Sequence, residues 1–142
     1  MRKTYQIVLV LLLLSSLGAL SPLFAQKWHN PDKLHLIYSG TIIEKGLRVP
    51  LKIGFYHQDN EGQVAGEVSV PGEIVRFTGA YNPTTKDISF DGYDLMGDQK
   101  HPRYGYFFGK KIGGKIQGRF SRYRDTNPPS LFVVKLAKTY KK

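Results

Sequence analysis

Hydrophobic and polar residues alternate along most of this chain. The stretch LRVPLKIGFY is the cleanest case: Leu47, Val49, Leu51, Ile53 and Phe55 fall on one side, Arg48, Pro50, Lys52 and Tyr56 on the other. Successive side chains of a strand point to opposite faces, so a period of two predicts a half-buried β-strand. Runs of the same kind span Leu34–Glu44, Gln63–Val70, Glu73–Tyr81, Asp87–Asp94, Arg103–Lys111, Lys115–Tyr123 and Leu131–Leu136, giving eight in all. Lys45-Gly46 and Gly113-Gly114 suit tight hairpins, and Val70-Pro71-Gly72-Glu73 suits a type II turn. Polar loops are expected at Gln58–Gly62, Asn82–Thr85 and Asp125–Ser130, and only Leu95–Pro102 reads as a longer excursion. Short links between successive strands predict an antiparallel up-and-down meander.

Glycine recurs within this pattern. Gly40, Gly54, Gly66, Gly79, Gly92, Gly105 and Gly118 stand 12 to 14 residues apart, one in each of the first seven strands. A strand glycine costs entropy and packs nothing, so its repetition needs a reason. Several have apolar residues two positions away on both sides, as in Val64-x-Gly66-x-Val68 and Phe77-x-Gly79-x-Tyr81, and so share the inward face. Gly54 does not, because Lys52 and Tyr56 share its face. Closing eight strands into a barrel demands tilt and coiling that glycine permits. An inward glycine also leaves room for a large neighbour or for a ligand. Phe55, Phe77, Tyr81, Phe90, Phe120 and Phe132 are the candidates to fill that room or to line it.

YSGTI, FTGAY and IQGRF resemble the repeated T-G-x-Y/W strands of avidin-like proteins, and the layout resembles the calycins more broadly, the superfamily of lipocalins, fatty-acid-binding proteins and avidins. The resemblance implies an all-β, eight-stranded antiparallel up-and-down barrel with a ligand site at one mouth. The several tryptophans of avidin-like biotin sites have no counterpart here beyond Trp28, which speaks against biotin. Trp28 stands in QKWHN, without the glycine of the lipocalin Gly-x-Trp. No functional residue is carried over from either family.

The N-terminus changes the picture. Arg2 and Lys3 precede an apolar run from Ile7 to Leu14, small and polar residues follow, and Ala25 offers a cut site. This is the pattern of a signal peptide over 1–25, leaving a single β-barrel domain over 26–142 with no transmembrane span; an uncleaved anchor is the alternative. Export to a periplasm, cell envelope or exterior is the expectation. No cysteine is present for disulfides or lipid attachment. A lipid-spanning barrel is disfavoured by Arg48, Lys52, Arg76 and Arg119, which fall on outward faces at mid-strand.

Charge is uneven. Residues 26–99 hold seven basic and ten acidic side chains, whereas residues 100–142 hold twelve basic and one acidic. Lys110, Lys111, Lys115, Arg119 and Lys135 on the last three strands predict a basic face for an anionic surface or polymer.

Signals for catalysis are missing. No Ser-His-Asp order, nucleophile elbow or phosphate loop occurs. The four histidines show no metal-ligand spacing, so neither metal nor cofactor is expected. Asp87, Asp91 and Asp98 read as solvated. Asp94 falls inward near a mouth if Phe90 and Gly92 do, and Arg122 is its candidate partner in a polar group at a barrel end. The leading expectation is an exported, non-catalytic binding protein that takes a small apolar or amphipathic ligand at the barrel mouth. The alternative is an envelope-associated or inhibitor-like module with a filled core that works through its basic face.

Overall fold

All eight predicted strands form. The computed structural model describes residues 27–58, 61–93 and 103–141. Within them run a short 3-10 turn, Pro31–Lys33, and strands β1 Leu34–Glu44, β2 Leu47–Tyr56, β3 Gln63–Val70, β4 Glu73–Tyr81, β5 Asp87–Tyr93, β6 Arg103–Ile112, β7 Lys115–Arg122 and β8 Ser130–Thr139. Each strand pairs antiparallel with the next, and β1 also pairs with β8, so the sheet closes into an up-and-down barrel. Residues 1–26, which include the expected signal peptide, lie outside the described residues, as do Asp94, Asp98 and the 95–102 excursion.

Local chemistry makes the turns. Lys45 and Gly46 take φ of 51° and 78°, and Gly113 and Gly114 take 58° and 76°, the left-handed pairs of tight hairpins. Gly72 takes φ 85°, which the third position of a type II turn requires. Asn82 Oδ1 accepts the backbone N–H groups of Thr84 and Thr85 at 2.9 and 3.2 Å, fixing the β4–β5 turn.

The interior is a ladder of aromatic rings. Phe55, Phe77, Phe90, Phe107 and Phe120, from β2, β4, β5, β6 and β7, follow one another with centroids 5.3, 4.3, 4.7 and 4.5 Å apart, Phe55 edge-on to Phe77 and Phe90 stacked on Phe107. Tyr38 meets Phe55 edge-on at one side, and Phe132 meets Phe107 edge-on at the other. Leu51, Ile53, Val68, Val75, Ile88, Ile116 and Val134 fill the space between, all buried. A fully buried ring or aliphatic side chain of this kind contributes about 1.5–3 kcal/mol.

The glycine belt is explained by this packing. Across the sheet Phe55 pairs with Gly66, Gly66 with Phe77, and Phe77 with Gly92, so large and small residues alternate around the interior. Strand coiling accounts for the rest: a methyl at Gly66 would meet the Gly54 carbonyl oxygen at 1.8 Å, and one at Gly40 the Val133 oxygen at 1.9 Å. Of the candidate lining residues, Phe55, Phe77, Phe90 and Phe120 are core, as is Phe132. Tyr81 sits half-buried at the rim formed by the start of β1 and the end of β2, here called the lower rim.

Candidate interaction surface

Closure decides which charges share a wall. β6, β7, β8, β1 and β2 are consecutive around the barrel, and their only carboxylate is Glu44. Alternation turns Lys115, Gln117, Arg119 and Ser121 of β7 outward, with Leu131, Val133 and Lys135 of β8, Thr41 and Ile43 of β1, and Arg48, Pro50 and Lys52 of β2. Register aligns Phe108, Arg119, Leu131, Ile43 and Arg48 in one row across the five strands. Lys115 and Lys135 lie directly opposite each other. Like charges so placed repel. Among the described residues Arg48, Lys52, Lys115, Arg119 and Lys135 have no carboxylate or hydrogen-bond partner.

The predicted basic face is therefore partly regrouped. Lys115, Arg119 and Lys135 stay together on it. Lys110 lies at its edge, with Nζ 2.7 Å from Asp87 Oδ1 and 3.0 Å from the Thr85 carbonyl oxygen. That contact, with Thr85 second, holds the Asp87 carboxyl below the ordinary value. Lys111 faces the other way, into the lower rim, with Nζ 4.9 Å from the Tyr81 ring centroid. Arg48 and Lys52 join from β2, which sequence distance alone would not suggest.

Apolar side chains share this wall. The exposed large hydrophobic residues among those described are Ile43, Leu47, Tyr106, Phe108, Ile112, Tyr123, Leu131 and Leu136, and none lies on β3, β4 or β5. Between Arg48 and Arg119 runs an open furrow of about 420 Å³ floored by Ile43, Leu131 and Val133.

Among the described residues, the clefts at both rims are open to solvent and the core between them is filled by side chains. At the upper rim, around the ends of β1 and β7, Arg122 donates to Glu44 at 3.1 and 3.3 Å and lies over Tyr104 at 5.1 Å. Burial opposes the Arg122 charge, but Tyr104 and Glu44 outweigh it and its pKa stays raised. Arg122 is thus engaged with Glu44, 78 residues away; its expected partner Asp94 is outside the described residues. An open cleft of about 480 Å³ lies beside this pair, under the 125–130 loop. At the lower rim an open cleft of about 870 Å³ lies beside Trp28, Leu34, Tyr56, His57 and Tyr140, while the pocket lined by Phe55, Tyr81, Ile88 and Lys111 among others holds about 220 Å³. Small-molecule sites usually need roughly 300–1,000 Å³.

A second feature lies on the outer wall and escaped the sequence reading. Glu67 points outward from β3, yet it is 0% exposed. The segment before β1 folds back over it. His29 and Asn30 donate their backbone N–H groups to the two Glu67 oxygens at 2.5 and 3.0 Å, and Tyr56 donates its hydroxyl at 2.7 Å. The Tyr56 pKa is raised, first by burial and then by the bond to Glu67. Gly54 makes the room: a methyl there would come within 2.7 Å of Leu34 Cδ2 and 3.3 Å of the Trp28 ring. The glycine that did not fit the inward belt was the one signal for this strap.

Among the described residues the histidines form no metal cluster. The His35 and His57 rings lie 4.3 Å apart, tilted to each other, and no third His, Asp or Glu joins a cluster among the described residues. Comparison with protein-family models, with curated proteins and with solved structures yields no match.

Proposed function

We propose that this chain is an exported, non-catalytic docking module, calycin-like in layout, that binds an anionic partner through the outer wall of β6, β7, β8, β1 and β2. One observation carries the reading: five consecutive strands hold one carboxylate, Glu44, and it is engaged with Arg122, while Lys115 faces Lys135. Facing ammonium groups are a liability that a bound anion relieves. The aromatic ladder supports this reading over a carrier role, because it occupies the volume that an interior ligand would need. The leader pattern at residues 1–25 supports export.

The test is retention on a sulfated polysaccharide matrix. The protein should bind at low salt and elute as salt rises, since screening shortens the reach of exposed charges. Arg119→Glu with Lys135→Glu should elute at clearly lower salt. Retention unaffected by salt or by this double substitution would refute the reading.

A second reading keeps a small apolar ligand at the lower rim, favoured by Phe55, Tyr81 and Ile88 lining the 220 Å³ pocket there. Native and denatured masses of the protein from its own source test it. A discrete small-molecule increment would establish a carrier, and equal masses at saturating fatty acid would exclude one.

A further inference from the structure

The cationic wall is also the apolar wall. Phe108 is 51% exposed, Leu131 55%, and Ile43 38%, and each stands beside an arginine in the row Phe108, Arg119, Leu131, Ile43, Arg48. Ile112 extends the patch towards the end of β6. Strands lie about 4.8 Å apart, so the five-strand row covers roughly 19 Å of circumference. Exposed apolar side chains that gather on one side of a soluble-type barrel mark a contact surface. A sulfated polymer would use the cations and leave Phe108, Leu131 and Ile43 in water. A bilayer interface uses both, with headgroup phosphates at the cations and the acyl boundary at the apolar tips. Its fluidity also suits a convex wall, which offers a rigid partner only a narrow line of contact.

We infer that the partner is an anionic lipid bilayer, on which the barrel lies with β6, β7, β8, β1 and β2 facing the membrane. Phe108, Leu131 and Ile43 enter the interface, while Lys115, Arg119, Lys135, Arg48 and Lys52 meet lipid phosphates. The barrel lies on the surface and does not span it, because its continuous apolar face is the interior. This inference rests on the docking role proposed above and names its partner.

The experiment is flotation with vesicles of phosphatidylcholine alone or mixed with phosphatidylglycerol, run beside the sulfated matrix. The protein should float with the mixed vesicles and stay behind with neutral ones. Phe108→Ser with Leu131→Ser should lower vesicle partitioning on the order of tenfold, from the lost apolar contact, and leave elution from the matrix unchanged. Both sites are more than half exposed, so the thermal midpoint should remain near that of the parent. Phe108→Leu should restore binding if the serine variant is impaired. Matrix binding without flotation, or flotation indifferent to the serine pair, would overturn the membrane assignment and leave the docking role standing. Failure to bind either support would overturn both.

Discussion

Replacing Phe77 by alanine tests whether the barrel is filled. The ring is 1% exposed, packs on Phe90 at 4.3 Å and meets Phe55 edge-on at 5.3 Å. Its cross-strand partners are Gly66 and Gly92, which have no side chains to move into the space. The cavity would therefore persist, and the cost should reach the upper part of the range for a buried phenylalanine, about 4–5 kcal/mol. A folded domain of this size has only about 5–15 kcal/mol of stability. At roughly 3–6 °C per kcal/mol, the thermal midpoint should fall by about 12–30 °C. Urea titration followed by circular dichroism and by fluorescence of Trp28, the only tryptophan, gives the free energy. Phe108→Ala is the control, since its ring is half in solvent and should cost less than about 1 kcal/mol. A Phe77→Ala loss below about 1.5 kcal/mol would refute the filled interior.

Two further outcomes follow from the strap and the tyrosines. Glu67→Gln replaces one of two acceptor oxygens with an N–H₂ group aimed at backbone donors, and should cost about 1–3 kcal/mol; faster hydrogen exchange at His29 and Asn30 would locate the loss, and unchanged exchange would refute the clamp. Burial is the first cause of a raised pKa at Tyr38, Tyr56 and Tyr104, against an ordinary value of 10.0. Their contribution is intact below that value and is lost as pH rises through the folded pKa, because the unfolded chain ionises first. Thermal midpoints should therefore fall above about pH 10, and Tyr56→Phe should make that fall shallower; an identical slope would exclude Tyr56 as a contributor.

Much of this molecule is local information. Strand positions, inward faces and hairpin turns follow from alternation, from Gly-Gly and Pro-Gly pairs, and from the glycine spacing, because each depends on neighbours a few residues away. The aromatic core was legible for the same reason. What alternation could not choose was which member of Phe107-Phe108 faces inward. Pairing with Phe90 and Phe120, and the register shift by Gly92 and Tyr93, decide it.

The rest needed closure of the ring. Arg48 and Lys52 stand on the same wall as Arg119 and Lys135 only because β1 joins β8. Arg122 finds Glu44 for the same reason. Glu67 looks like an ordinary solvated glutamate in QVAGEVSV, and only the return of residues 28–34 across β2 and β3 buries it. Alternation tells each side chain whether it faces in or out. Which distant strand lies beside it, and what covers the outside, is set by long-range pairing that no local pattern encodes.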